Sequence, residues 1–488
     1  MKLPFLFSLV LMLWSSLWGI AQEREVNERI ALVEKSLSGN IKPVDGRGWT
    51  IQERMAHYNV NGVSIAVIHN YKLEWTKGYG WANAASKIPV TENTRFQAGS
   101  VSKSVNAFGV LKLVQQGNID LNADINDYLT SWKFPYDSVA DGRVITMKEL
   151  LSHTAGLNVQ GFRGYQRGER IPTTLQILEG TDPANSSAVR SLFAPGVRHE
   201  YAGGGITISQ LIIEDLSRQA YDHYMEDQIL KPLGMLNSSF ASPDKQSSNI
   251  PRAMGYYESG EPVEGGFHIY PEMAAAGLWT TPSDLAKYII ALQQAYRGTR
   301  NTILNTDFAK LMLTPFIDQR AALGVFIDNY AGEMYFEHDG LTYGYYCQYY
   351  GSLNDGNGVV VMTNSANTAL IPEIINSVAK VYGFKGLDRS KTRKNISIDD
   401  KILQGYTGNY ALGPDMILTV LMEHKQLYIR LTGQDKVALF PESESKFFMK
   451  DIDAQLDFVK DEKGKVTKVV LYQDGGIYQA PRLDSNHQ

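Results

Sequence analysis

The pattern that most restricts what this chain can fold into is the placement of its strand-forming stretches at the two ends of a long helix-forming region. VSIAVI (63–68) and KLEWTKGYGWA (72–82) lie either side of His69-Asn70-Tyr71 and read as a hairpin, because β-branched and aromatic residues fill both runs. From Ser100 to about Gln294 helical patterns dominate, among them GITISQLIIEDLSRQAYDHYM (205–225) and SDLAKYIIALQQAY (283–296). Strands return at ALGVFID (322–328), EMYFEH (333–338), YGYYCQYYG (343–351) and GVVVMTN (358–364), ahead of a helix over 371–383; residues 23–57 also look helical. This order predicts an α+β fold: an antiparallel sheet with its edges closed by distant parts of the chain, flanked by helices and carrying a helical insertion. A cleft is expected where sheet and insertion meet.

Further along the texture changes. The basic run KGLDRSKTRK (385–394), broken by Asp388, reads as the start of a linker over 385–400. Residues 401–488 hold about eight short strand patterns near a ten-residue spacing, which predicts a small all-β, lipocalin-like domain, either an up-and-down barrel or a sandwich. The larger domain is then expected over 22–384. At the N-terminus, one lysine, an apolar run and Gly19-Ile20-Ala21 before Gln22 predict a signal peptide over 1–21, with an uncleaved anchor as the alternative. The expected location is periplasmic or secreted.

Export brings an oxidising compartment, yet Cys347 is the single cysteine, so no intrachain disulfide can form and stability must come from apolar cores. Cys347 sits in an aromatic strand pattern and is expected to be buried packing. Charges of both signs are interspersed and the net charge is −5, which gives no footprint for nucleic acid. No HExxH or clustered His/Cys spacing occurs, so neither a metal nor a cofactor is expected.

One pattern carries chemistry. Ser-x-x-Lys occurs four times, at Ser100/Lys103, Ser242/Lys245, Ser377/Lys380 and Ser443/Lys446, against roughly two expected by chance. The Ser242 and Ser443 pairs fall in loop-like sequence, and Ser377 falls late in a helix, where the negative dipole end opposes an oxyanion. Ser100 precedes the apolar repeat Val105, Phe108, Leu111, Val114, so it is placed in the first turn of an amphipathic helix. There, free backbone N–H groups favour the negative charge of a tetrahedral intermediate. Lys103, one turn on, projects from the same face and would be a base if desolvated. From the helix alone an N-cap serine with a surface lysine is an equal reading.

Other stretches add to this one. GVSIAVI, FQAGSVSKSVNA, MKELLSHTAGL (147–157), PGVRHEYAGGGI (195–206), KPLGMLNSSF (231–240), AAGLWTTPSDLAKY (275–288) and EHDGLTYGY (337–345) resemble, in order, the blocks of the serine β-lactamase and penicillin-binding-protein-like family. The likeness is to its class C-like branch of peptidases and esterases, and it runs from about Asn61 to Asn364. The resemblance implies a serine β-lactamase-like fold with Ser100 as acylated nucleophile, Lys103 as base, and Tyr201 as the residue that activates the serine or water and protonates the leaving group. It implies that His338-Asp339-Gly340 occupies the position of the Lys-Thr-Gly element and binds substrate, and that the N–H groups of Ser100 and Leu341 form the oxyanion hole. An ammonium beside Tyr201 would favour its phenolate. The glycines at 203–205 would either let substrate approach the backbone or form a turn before a helix starting near Ile206. His153 is read as packing and hydrogen bonding.

Two positions depart from the lactam-handling pattern. Gly203 stands where an asparagine amide is usual, and His338-Asp339 replaces the Lys-Thr that receives a substrate carboxylate. Both point away from β-lactams, toward an ester or a short peptide recognised by its amine. The expected activity is hydrolysis of a small amide or ester, possible on D-amino-acid peptides, through a Ser100 acyl-enzyme; a β-lactamase or D-Ala-D-Ala carboxypeptidase and a non-catalytic sensor of the same fold are the alternatives. Partners are a small-molecule or short-peptide substrate and a further copy of the chain; neither nucleic acid nor, after signal cleavage, a membrane is expected.

Overall fold

The two strand-rich ends of the first region meet in the middle of its sheet. In the computed structural model, which describes residues 21–39, 41–43, 48–243, 251–414, 416–450, 454–473 and 476–483, the chain divides into two units. One holds Ile51–Leu387 with the described residues up to Ala31; the other holds Leu32–Thr50 with the described residues from Asp388 on. The expected signal peptide lies, apart from Ala21, outside the described residues, as does Lys245. Among the described residues no helix is long and apolar enough to cross a membrane.

The first unit is built on seven antiparallel strands: β1 (Gly62–His69), β2 (Lys72–Asn83), β3 (Ile88–Pro89), β4 (Phe326–Tyr330), β5 (Glu333–Thr342), β6 (Tyr345–Ser352) and β7 (Gly358–Thr363), in the order β3-β2-β1-β7-β6-β5-β4. The join between distant segments is the central β1–β7 pair, where Val361 faces Ile65. The expectation that distant segments close the edges is therefore corrected: both edges belong to local meanders. Burial explains the difference. Nearly every residue of β1 and β7 is buried, which is the position of strands covered on both faces rather than at a rim.

Alternation divides those two faces. Ala66, Ile68, Val360, Met362, Cys347 and Tyr349 enter the large core shared with the helical region. Their neighbours Ile65, Val67, Val359 and Val361 are buried as well, and the helix Leu370–Tyr382 packs on β7. Helix α1 (Ser102–Gln115) runs through the large core. The amphipathic reading fails here: Ser102 to Leu111 are all buried, so α1 is a central helix enclosed on every side. Val105, Phe108 and Leu111 are essentially inaccessible, each contributing about 2 kcal/mol of transfer free energy.

Residues 21–35 and Ile51–His57 are helical, but the described residues between them are not, contrary to the reading of 23–57 as one helix. Ile41–Pro43 pairs in parallel with Lys391–Arg393. The segment expected as a linker thus contributes a strand to the second unit, which begins at Asp388 rather than 401 and also takes in Leu32–Thr50. Eight strands from Gly408–Gly413 to Gly476–Pro481 follow in up-and-down order. Tyr410 bridges to Arg482, and the Leu483 N–H donates to the Asn409 carbonyl, so the first and last strands approach closure around Tyr410, Leu456, Phe447 and Phe458. Of the two alternatives, the barrel is the one observed.

Candidate active site

Ser100 lies in a 3-10 turn, Gly99–Val101, that runs directly into α1. Gly99 has φ +52°, and its backbone lies against Gly340 and Leu341. The fit is tight from the other side also: a Cβ on Gly340 would fall 2.0 Å from the Ala98 carbonyl oxygen and 2.7 Å from the Ser100 nitrogen. Such an approach demands glycine at both places. Strand pairing explains why β5 has an edge to offer. β4 begins at Phe326, opposite Glu337, so from His338 onward that edge receives the serine turn instead of a strand. The two amides expected as an oxyanion hole, Ser100 and Leu341, flank this glycine seam.

Lys103 is almost wholly enclosed, 2% exposed. Its Nζ stands 2.9 Å from Ser100 Oγ and 2.8 Å from the Ala275 carbonyl oxygen. Burial lowers its pKa to about 7, with the Asp339 carboxylate opposing the shift. A neutral amine so placed keeps one N–H on Ala275 and turns its lone pair toward the serine hydroxyl. Neither of the two other motifs that lie wholly among the described residues does this. Ser377 is buried in its helix while Lys380 is exposed, and Ser443 accepts from the Lys446 backbone N–H in a turn. The Ser242 pair reaches outside the described residues.

The Tyr201 ring lies 5.0 Å from Lys103 Nζ, with His153 at 4.3 Å and His338 and Phe326 each at 6.4 Å between ring centres. Burial raises its pKa, partly offset by a hydrogen bond with Ser100. The phenolate reading is thereby corrected: Tyr201 is held as a neutral phenol by its own burial, with the Asp339 and Glu337 carboxylates acting in the same direction. His338 is 1% exposed, and its Nδ1 donates to the Asp339 carbonyl at 2.6 Å, which leaves Nε2 a bare lone pair without a partner. Burial and Lys103 lower its pKa to about 4, so the ring is neutral. His153 accepts the Ala202 N–H at 3.2 Å and packs on Tyr201, the role read for it in the sequence. Asp339 points the other way along β5 and is exposed, as is Leu341.

The glycines at 203–205 form the first turn of the helix Gly203–Ser217, earlier than Ile206, and all three are buried. A Cβ on Gly203 would meet the Gln160 carbonyl oxygen at 2.9 Å and the Phe162 ring at 3.1 Å. Neither sequence reading holds: this is a close-packed helix start, and Phe162 and Gln160 fill the space an amide side chain would take. The sequence reading missed Phe326, the Ala275 carbonyl and Gly99. Only Gly99, adjacent to the serine, offered a local signal. It also missed Glu272, fully buried three residues before Ala275, whose two carboxyl oxygens have no partner among the described residues and whose pKa burial raises to about 8.

A family model described as Beta-lactamase matches residues 50–377, about two thirds of the sequence and every residue of this cluster. The chain belongs to the beta-lactamase family. A domain of unknown function (DUF3471) matches residues 392–484, the barrel. Penicillin-binding protein 4* of Bacillus subtilis (strain 168) is 23% identical over 456 residues, 87% of this chain and 95% of that one. Protein flp of Staphylococcus aureus (strain N315) is 27% identical over 237 residues, 48% of this chain and 44% of flp, so the match spans less than half of that relative. Among solved structures, the octameric penicillin-binding protein homologue from Pyrococcus abyssi superposes with TM-score 0.62 at 24% identity, covering 88% of this chain and 98% of its own, a likeness of fold.

Proposed function

We propose that this chain is an exported serine hydrolase that cleaves a small amide or ester lacking a carboxylate beside the scissile bond. The observation that carries the reading is the 2.9 Å contact between Ser100 Oγ and a buried lysine whose pKa is brought to about 7. In the proposed cycle, Ser100 Oγ attacks the substrate carbonyl carbon while its proton passes to the neutral Lys103 amine. The carbonyl oxygen, now an anion, is held by the N–H groups of Ser100 and Leu341. Collapse breaks the bond to the leaving group, which takes the Tyr201 hydroxyl proton; the Lys103 ammonium returns a proton to Tyr201. Water then attacks the acyl-enzyme by the same route, giving the free acid and restoring Ser100. His338 contributes a neutral acceptor beside Tyr201, not an ammonium that would receive a carboxylate. The absence of an amide at Gly203 and the presence of Asp339 also argue against efficient β-lactam hydrolysis.

An octameric relative of like fold supports self-association as a property to be measured alongside. The test is steady-state hydrolysis of p-nitrophenyl esters, aminoacyl anilides, D-Ala-D-Ala peptides and a chromogenic cephalosporin, with intact-mass detection of the acyl adduct. Turnover that survives Ser100→Ala would overturn the mechanism; a stable adduct with no turnover of any substrate would make the chain a sensor.

A further inference from the structure

Asp339 carries an exposed carboxylate that, among the described residues, has neither an ion-pair nor a hydrogen-bond partner. Its neighbours on β5 are otherwise accounted for. Glu337 lies 3.4 Å from Arg320 Nη2, and that guanidinium is also bonded to Asp328 at 2.6 Å. Gln348, directly across the β5–β6 ladder from Asp339, donates instead to the Tyr350 hydroxyl at 3.0 Å. The Asp339 side chain is exposed, and two residues on, the exposed Leu341 side chain shares its side of the strand. This pair stands at the stretch of β5 edge against which the Ser100 turn packs.

The carboxylate is close enough for its field to act on the reacting groups. Lys103, His338 and Tyr201 all feel it, each pulled toward its more protonated form. A charge that reaches Lys103 also reaches whatever sits on Ser100. Lys103, the cation of the cluster, does not neutralise it, since burial holds that amine near half-charge at neutral pH. An exposed unpaired charge beside a pocket attracts the opposite sign and repels its own, more strongly at the low-dielectric wall of a protein than in open water.

We infer that Asp339 selects substrates bearing a free ammonium near the scissile carbonyl, with an apolar group against Leu341: aminoacyl amides or esters with an unblocked amine. This rests on the proposed hydrolase reading for its kinetic consequence but not for its binding consequence. An ammonium approaching Asp339 forms a charge-assisted hydrogen bond, whereas an N-acylated substrate offers a neutral amide and a carboxylate-terminated one is repelled.

The experiment compares kcat/KM on alanine p-nitroanilide with that on its N-acetyl counterpart, using the full chain and the Asp339→Asn, Asp339→Glu and Asp339→Lys variants. The inference expects the wild type to favour the free amine. Asp339→Asn should lower that preference on the order of tenfold, chiefly through KM. Asp339→Glu should keep most of it, and Asp339→Lys should reverse it. Raising salt from 0.05 to 0.5 M should erode the wild-type preference and leave that of Asp339→Asn flat. Equal losses on both substrates in Asp339→Asn would reduce the residue to a structural role and overturn the inference, as would a wild type that favours the acetylated anilide. If no substrate turns over, the hydrolase reading fails separately. Calorimetric titration of alaninamide against N-acetylalaninamide then decides: tighter binding of the free amine, lost in Asp339→Asn, supports the inference, and no difference between the two ligands refutes it.

Discussion

Two helices of the first unit carry the same Ser-x-x-Lys spacing and have opposite surroundings. At Ser100/Lys103 the lysine is buried and touches the serine; at Ser377/Lys380 the serine is buried and the lysine reaches solvent. Spacing puts two side chains on one helical face in both cases. What differs is the depth of the amine, because a solvated lysine holds its proton near pH 10.4 whereas a desolvated one releases it near neutrality. The comparison teaches that the motif's chemistry resides in the burial of its second residue.

The largest test of that contrast exchanges serines. Ser100→Ala should cut kcat for ester hydrolysis by roughly 10⁴-fold or more and abolish acyl labelling, while Ser377→Ala leaves both unchanged. Lys103→Met should lower kcat by roughly 10³-fold, and Lys380→Met should not. Equal effects in either pair would break the comparison.

The pH dependence sharpens it. Lys103 accepts a proton only when neutral, so kcat/KM should rise with pH through about 7 and flatten above. Stability follows the same group with a fixed sign. Between the folded value near 7 and the unfolded value of 10.5 the unfolded chain holds the extra proton, so this contribution grows as pH rises across that window. Urea midpoints measured from pH 6.5 to 9.5 should show that slope in wild type and lack it in Lys103→Met.

Gly340→Ala presses a methyl on the Ala98 carbonyl oxygen and should cost about 1–3 kcal/mol of stability, with kcat falling further than KM changes because the Ser100 and Leu341 amides separate. Smallest in activity is Glu272→Gln. The folded carboxyl titrates near 8 against 4.5 unfolded, so the folded form keeps its proton and wild type loses stability as pH rises between them. The glutamine variant should lack that decline and gain roughly 1–3 kcal/mol relative to wild type at pH 8.5 against pH 5.5, in urea unfolding, with activity near unchanged.

Much of this was legible in the residues. Strand and helix order follow from apolar patterning, and the Ser100, Tyr201 and His338 stretches from their sequence context, and the structure brings all three beside Lys103. What escaped was set by tertiary contact. Nothing local distinguishes an amphipathic helix from one enclosed on every side, as α1 is. The three glycines at 203–205 look like a loop until Gln160, Phe162 and Val189 are seen pressing on them. The charge state of Tyr201 depends on the burial of its own ring, which no spacing reveals, and the central β1–β7 pair joins segments nearly three hundred residues apart.

The parallel pairing of Ile41–Pro43 with Lys391–Arg393 imposes an order of events on synthesis. Some 350 residues separate the two strands, so at ordinary elongation rates the early one waits roughly half a minute for its partner to leave the ribosome. During that interval the whole Ser100 unit has been made and can fold, while Ile41–Pro43, the second unit's earliest strand, stays unpaired. The second unit is therefore finished last although one of its strands emerges near the beginning, and a chain stopped before 391 would carry a strand with nowhere to dock.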